Sequence, residues 1–125
     1  MIAVLAGCTD HGAAPEPAAP PGPAPVSFAA EIQPIFDANC ILCHGAGGNG
    51  GLDLRAPGSR GNLVGAASAT YTGVRVQPGE PDDSILYLKL SGAAGVGDRM
   101  PPTGALPAPT LELVRRWIAE GATDN

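Results

Sequence analysis

One five-residue motif, Cys40-Ile41-Leu42-Cys43-His44, constrains this chain more than any other feature. Two cysteines three positions apart at the end of a helix can present both thiols to one edge of a flat ligand. The histidine that follows at once then lies beneath that ligand and can donate its Nε2 to a central metal. This pattern is typical of c-type haem attachment. It predicts thioethers from Cys40 and Cys43 to one covalent haem c, with His44 as an iron ligand.

Three other interpretations of the motif are weaker. A structural zinc site needs four ligands, and the adjacent Cys43 and His44 are awkward partners, with only Cys8 and His11 left to add. A thioredoxin-like redox pair needs a βαβ context, which the sequence lacks. A disulfide between Cys40 and Cys43 is compatible with the cofactor-free chain, but it leaves His44 unexplained.

A second iron ligand is predicted at Met100. The chain has two methionines, Met1 and Met100, and Met100 is followed by two prolines that limit the freedom of its loop. A lone methionine commonly fills a gap in a core, but a thioether is also a known axial ligand of haem iron. The competing ligand is His11, which lies in a proline-rich segment far from the motif.

The composition fits a domain that needs an added core. Gly (18) and Pro (14) together make up about a quarter of the chain, the share at which low-complexity chains begin. Apolar residues nevertheless reach 44%, charged residues only 15%, and the aromatics number five. Small domains with so few large side chains usually depend on a disulfide, metal or cofactor. We therefore expect the domain to be largely unfolded without haem.

Charge and hydropathy exclude other classes of function. The net charge of −5 and the scattered basic residues argue against nucleic-acid binding. No apolar stretch approaches the roughly 20 residues that span a bilayer. Three cysteines also make a disulfide framework a poor interpretation.

The N-terminal segment resembles a bacterial lipoprotein signal. Leu5-Ala6-Gly7-Cys8 matches a lipobox, in which Cys8 receives a lipid and the preceding residues are removed. Residues 1–8 are too short and uncharged for a whole signal, so we expect Met1 to lie within a longer one or the start to be trimmed. An ordinary tail with a free cysteine is the alternative. Residues 9–25 form a Pro/Ala-rich linker, and residues 26–125 form the folded domain.

The predicted elements are short helices separated by long loops. Ser27 is expected to cap a first turn, and Pro34 suits the first turn of a helix that ends at Cys40. A second helix is predicted over residues 81–90 and a last one over 111–120, with Thr110 as its N-cap and Gly121 after its end. Residues 58–72 are ambiguous.

Several residues are expected around the haem. A backbone carbonyl between residues 52 and 57 is predicted to accept a hydrogen bond from His44. Pocket candidates are Leu52, Leu54, Leu63, Val64, Leu86, Leu90 and Leu106. Candidates for binding a haem propionate are Arg55, Arg60, Arg75, Arg99 and Tyr71, although each is more commonly a solvated surface residue.

Motifs in a fixed order resemble those of a class I c-type cytochrome, most closely the planctomycete-type domain. They are Ile32-Gln33-Pro34-Ile35-Phe36, the haem motif with Gly45, Gly50-Gly51-Leu52-Asp53-Leu54, Val76-Gln77-Pro78-Gly79, Ser84-Ile85-Leu86, Met100-Pro101-Pro102 and Trp117-Ile118-Ala119-Glu120-Gly121-Ala122. The resemblance implies an all-α cytochrome c fold of three or more helices around one covalent haem c. It also implies His44 as the proximal and Met100 as the distal ligand, and a crossing of the first and last helices near Phe36 and Trp117.

The function expected from these features is one-electron transfer by a monohaem cytochrome rather than catalysis. We expect it in the bacterial periplasm or cell envelope, tethered through Cys8 and serving unidentified redox proteins. The alternative is a ligand-binding, sensing or peroxidase-like haem protein with a labile sixth ligand. The domain has no second histidine to serve such distal chemistry. A dedicated role beside one dehydrogenase or oxidase is a third possibility, which the sequence does not separate from a free carrier.

Overall fold

The computed structural model describes residues 24–125. The lipobox with Cys8, the competing ligand His11 and most of the proline-rich linker lie outside these residues.

The first helical segment leads directly into the haem motif. The Ser27 hydroxyl accepts a hydrogen bond from the Ala30 amide at 3.2 Å and caps a π-helical turn, Phe28–Ile32. This turn continues into helix α1, Gln33–Asn39, with Pro34 in its first turn, where a missing N–H costs nothing. The short helix predicted to end at Cys40 is therefore confirmed.

Three further helices follow: α2 (Ser59–Leu63), α3 (Ile85–Ser91) and α4 (Ala108–Ala119). Short 3₁₀ turns span Asn49–Gly51 and Pro81–Asp83. Residues 24–125 contain isolated β-bridges but no sheet, which agrees with the predicted all-α class. No helix in this part of the chain is both long and apolar enough to cross a membrane.

Two helix starts differ from the prediction. The segment Pro81–Asp83 forms its own 3₁₀ turn, and α3 begins only at Ile85 because the extended Ser84 separates them. The Ser84 hydroxyl is buried, accepts from the Gln77 amide and donates to the Glu80 carbonyl, each at 2.8 Å. Helix α4 begins at Ala108 rather than after a Thr110 cap, since prolines 107 and 109 already carry the backbone φ of a first helical turn.

The ambiguous region 58–72 forms α2 and part of an irregular return loop. The loop is held by backbone hydrogen bonds from Gly65 to the Val76 carbonyl, at 2.9 Å, and from Ser68 to the Gly73 carbonyl, also at 2.9 Å. It passes along the same side of the domain as the haem motif and presents several polar side chains there.

The core joins the first helical segment to α4. Ile32, Phe36 and Trp117 are almost fully buried. The ring of Phe28 lies between the other two aromatic rings, with centroids 6.2 Å from Phe36 and 5.1 Å from Trp117. Aromatic pairs at these separations stabilise a core beyond the area they bury. The predicted crossing of the first and last helical segments is thus centred on Phe28.

The C-terminal residues fasten the start of the domain. The Asn125 side chain accepts a hydrogen bond from the Phe28 amide at 2.9 Å, and its backbone carbonyl accepts one from the Ala29 amide at 3.0 Å. The Glu120 carboxylate accepts another from the Val26 amide at 2.8 Å. These bonds hold α4 against the segment that leads into the haem motif.

Candidate functional site

The haem motif continues from the end of α1 as a series of turns. The Cys40 amide donates to the Phe36 carbonyl at 2.8 Å, so Cys40 closes the helix. The His44 amide then donates to the Cys40 carbonyl, also at 2.8 Å. These bonds keep Cys40 and His44 on one side of the chain, where both line the same cleft.

The His44 ring is oriented by the glycine-rich loop that follows it. Its Nδ1 lies 3.1 Å from the Asn49 carbonyl oxygen. Because a carbonyl only accepts hydrogen bonds, Nδ1 donates and the lone pair is on Nε2. The prediction of an acceptor between residues 52 and 57 is therefore wrong. The loop folds back sooner, since the Asn49 amide bonds to the Cys43 carbonyl at 3.0 Å and Gly50 adopts a φ of 66°.

The cleft beside His44 is mainly apolar and has a volume of about 210 Å³. Five of the seven predicted pocket residues line it, namely Leu52, Leu54, Leu63, Leu86 and Leu90. The other two, Val64 and Leu106, pack in or against the core instead. The cleft therefore offers an apolar surface next to His44.

Met100 lines the same cleft as His44. It is half-buried in the long loop between α3 and α4, and its amide donates to the Lys89 carbonyl at 3.0 Å. The two predicted iron ligands thus come from loops 56 positions apart in the chain and meet in one cavity.

The two motif cysteines differ in their surroundings. Cys40 is half-buried at the cleft, and burial, with a smaller contribution from Cys43, raises the pKa of its thiol to about 11. Cys43 is exposed on a second, shallow concavity beside Leu42, whose side chain is fully exposed. Both thiols are free, so the disulfide interpretation does not describe this conformation.

Of the five predicted propionate partners, Arg75 and Tyr71 line the cleft. Arg75 is held in place by its own hydrogen bonds, donating to the Asn62 carbonyl at 2.9 Å and the Gly50 carbonyl at 3.2 Å. Its guanidinium is therefore preorganised at the rim.

The other three arginines have partners elsewhere. Arg55 pairs with Asp53 at 2.7 Å and holds the pKa of that carboxyl at about 2, chiefly through their hydrogen bonds. Arg60 donates to the Ala122 carbonyl at 2.9 Å, and Arg99 donates to the Ser91 carbonyl at 3.3 Å. None of these three lines the cleft.

Comparison with known proteins adds one structural relation. No protein-family model matches the sequence, and no curated protein matches it. Among solved structures, the domain is similar to part of Kuenenia stuttgartiensis hydrazine synthase, with a TM-score of 0.56 and 23% identity over 78% of this chain. What the two share is a fold. The matched region covers 16% of the hydrazine synthase chain, so this chain corresponds to a small part of that protein.

The residues that line the cleft fit a haem better than the other groups considered. They supply a half-buried thiol, an imidazole with Nε2 available, a thioether and an apolar wall. A zinc site is not assembled in residues 24–125, where no three His, Cys, Asp or Glu side chains are grouped to hold a metal. The βαβ unit of a thioredoxin-like site is also missing from this part of the chain, which forms no sheet.

The sequence-based reasoning missed several cleft residues: Asn49, Gly50, Ser68, Thr70, Ile85 and Lys89. Helical spacing carries a signal for two of them, because Ile85 and Lys89 are four positions apart and share the α3 face with Leu86. Ser68 and Thr70 lie in the irregular return loop, whose path no periodicity in the sequence predicts.

Proposed function

We propose that this protein is a monohaem c-type cytochrome that carries single electrons between redox proteins. The observation that carries the proposal is the meeting of His44 and Met100 in one mainly apolar cleft, beside Cys40 of the attachment motif. In this proposal Cys40 and Cys43 would hold the haem covalently, and His44 and Met100 would bind its iron.

His44 is prepared for ligation by its hydrogen bond to the Asn49 carbonyl. The bond, 3.1 Å long, fixes the tautomer and the ring plane and leaves Nε2 available. A ring nitrogen bonded in this way also makes the imidazole a more basic ligand. The glycine-rich loop therefore has a functional role, because it brings the acceptor carbonyl back to the ring.

The cleft walls account for how such a cofactor is kept and shielded. Leu54 and Leu63 are fully buried and line the cleft, so they give the cofactor an apolar wall to pack against. Arg75, preorganised at the rim, presents a guanidinium suited to a propionate carboxylate. A haem bound here supplies a reversible one-electron iron couple, and a thioether ligand raises its reduction potential.

The cellular setting is also part of the proposal. The lipobox at Cys8 and the proline-rich linker support a domain tethered to a bacterial membrane and facing the periplasm or cell envelope. Mass spectrometry of Cys8 in the native gene product tests this, and an unmodified, unprocessed Cys8 would contradict it. Redox proteins are the partners we propose, with no enzymatic activity of the domain itself.

The test of the proposed site compares oxidised and reduced absorption spectra of the wild type and Met100→Ala. The wild type is expected to show a low-spin haem c with a positive midpoint potential. Met100→Ala is expected to shift the spectrum towards high spin and to lower the potential, within the roughly 0.8 V that axial ligands span. A matched control is Leu106→Ala, which removes a buried side chain that does not line the cleft.

Carbon monoxide separates this proposal from the sensor alternative. A firmly ligated electron carrier is expected to bind carbon monoxide slowly in the reduced wild type and quickly in Met100→Ala. Fast, complete binding by the wild type would favour a labile sixth site and a ligand-binding role. A strongly negative midpoint potential would argue against Met100 as a ligand.

A further inference from the structure

Lys89 is the only lysine of the chain, and it contacts the Met100 loop twice. Its ammonium group donates to the Val96 carbonyl at 2.6 Å, at the start of that loop. Its backbone carbonyl accepts from the Met100 amide at 3.0 Å. One residue of α3 therefore holds both ends of the short segment 96–100.

Tyr71 completes the contacts of the ammonium group. The Lys89 Nζ lies 3.2 Å from the Tyr71 hydroxyl and 4.8 Å from the centroid of its ring. The loop also lies against this tyrosine, since a Cβ built on Gly97 would collide with the Tyr71 hydroxyl. Tyr71 belongs to the return loop after α2, so Lys89 joins three separate segments of the chain. We call Lys89, Tyr71 and Val96 the Lys89 clasp.

The charge of Lys89 has no acidic partner in the described part of the chain. The ion pairs within residues 24–125 involve other side chains, and no carboxylate lines the cleft. A half-buried ammonium without a counter-ion depends on its hydrogen bonds, and bonds from a charged donor are stronger than neutral ones. The Val96 carbonyl and the Tyr71 hydroxyl are therefore the groups that keep this side chain in place.

We propose that Lys89 is a positioning residue for Met100: through the clasp it fastens residues 96–100 and keeps the Met100 thioether in the cleft. The inference rests on the proposed function, because it concerns the loop that carries the proposed distal ligand. It assigns Lys89 no contact with the iron and no part in electron transfer.

The test uses the haem-loaded full chain and the variant Lys89→Met, which keeps an unbranched side chain and removes the ammonium. Carbon monoxide binding to the reduced protein is expected to become about tenfold faster, which corresponds to about 1.4 kcal/mol. The far-red charge-transfer band of methionine-ligated ferric haem is expected to weaken. The Met100 amide is expected to exchange its hydrogen faster in the same variant.

Arg115→Met is the matched control. It removes one positive charge from α4. Arg115 pairs there with Glu112 at a distance of 2.6 Å, and neither residue lines the cleft. It is expected to leave the carbon monoxide rate, the far-red band and the Met100 amide exchange at wild-type values. Lys89→Arg keeps a cationic donor and is expected to stay within about twofold of the wild type.

If Lys89→Met fails to load haem, the same measurements are made on Tyr71→Phe. It removes one hydroxyl and leaves the bond to Val96, so we expect about a two- to threefold faster carbon monoxide reaction. The proposal is contradicted if a clasp variant that loads haem has the same carbon monoxide binding rate and the same Met100 amide exchange as Arg115→Met. A failure of the proposed function looks different, because Met100→Ala would then leave the spectrum unchanged. Exchange at the Met100 amide would still decide whether Lys89 holds the loop.

Discussion

At the scale of single residues, Gly48 is the most crowded position in the glycine-rich loop after the motif and leaves no room for a side chain. A Cβ on Gly48 would lie 2.5 Å from the Leu52 carbonyl oxygen, 2.8 Å from that of Gly45 and 2.9 Å from the His44 Cα. All three are backbone atoms and cannot rotate aside. The backbone of Gly48 itself, with φ −64° and ψ 166°, is open to any residue, so only the lack of space demands glycine.

Gly48→Ala is therefore expected to destabilise the haem-loaded protein by about 1–3 kcal/mol, the usual cost of overpacking. Because the loop carries the Asn49 carbonyl that orients His44, the absorption spectrum is also expected to change. Urea unfolding and spectra of the two redox states measure these effects.

The matched control for this change is Gly61→Ala. Gly61 lies within α2, and a Cβ there would meet no atom within 4 Å. We expect it to leave the spectrum unchanged and to raise the stability by about 0.4–1 kcal/mol. Equal stabilities of Gly48→Ala and Gly61→Ala would show that the loop accommodates the added methyl group without loss of stability.

At the scale of elements, a buried amide joins two helices to the segment after the motif. Gln33 of α1 is 7% exposed, and its Nε2 donates to the Leu54 carbonyl at 2.9 Å. Its Oε1 accepts a hydrogen bond from the Ser59 hydroxyl at the start of α2. The Leu54 amide in turn donates to the His44 carbonyl at 2.7 Å. Gln33 therefore supports the segment that runs beside the haem motif.

Gln33→Leu is expected to destabilise the protein by about 1–3 kcal/mol, because it leaves a buried carbonyl and a buried hydroxyl without partners. Chemical unfolding of the haem-loaded variant measures the loss. Adding Ser59→Ala is expected to recover part of it, since the second change removes one of the two unpaired groups.

Asn39→Ala serves as the comparison for Gln33→Leu. The exposed side-chain amide of Asn39 donates to the Ile35 carbonyl at 2.8 Å within α1. Loss of this hydrogen bond is expected to lower the free energy of unfolding by no more than about 0.5 kcal/mol. A Gln33→Leu variant as stable as Asn39→Ala would show that the amide does not join these elements.

At the scale of the whole molecule, the cleft is built by three separate stretches of chain. Residues 40–54 contribute the motif and its loop, residues 63–75 the polar rim, and residues 85–100 the α3 face and Met100. The core that unites α4 with the first helical segment reaches the cleft, because Leu54, Leu63 and Leu90 belong to both. A ligand that fills the cleft would therefore contact all three stretches and the core between them.

The cofactor-free double variant Cys40→Ser/Cys43→Ser is expected to lose cooperative thermal unfolding. Without haem, the apolar lining of the cleft has no partner, and empty apolar space removes packing energy from a small domain. Circular dichroism and the fluorescence of Trp117, which is fully buried in the folded domain, measure the loss. Cys8→Ser removes the cysteine that lies outside the haem motif and the domain, and it is expected to unfold as the wild type does. A cooperative transition in the haem-free double variant would contradict this expectation.

The sequence alone determined the features that depend on neighbours along the chain. The Cys40–His44 motif and the short helix before it follow from spacing, capping and proline placement, which act over a few residues. The all-α class was expected from the family resemblance. The starts of α3 and α4 were predicted less accurately: they differ by four and three positions from the prediction, because of the buried Ser84 hydroxyl and of prolines 107 and 109.

Only the tertiary structure decided the features that depend on residues far apart in the chain. It brings Met100 into the cleft with His44, places Arg75 and Tyr71, out of five candidates, at the cleft, and connects Lys89 to the Met100 loop. It also moved the His44 acceptor from residues 52–57 to Asn49. The physical reason is that irregular loops follow no periodic pattern. Their paths are set by hydrogen bonds and close contacts such as those of Gly48 and Gly97, which exist only once the chain has folded.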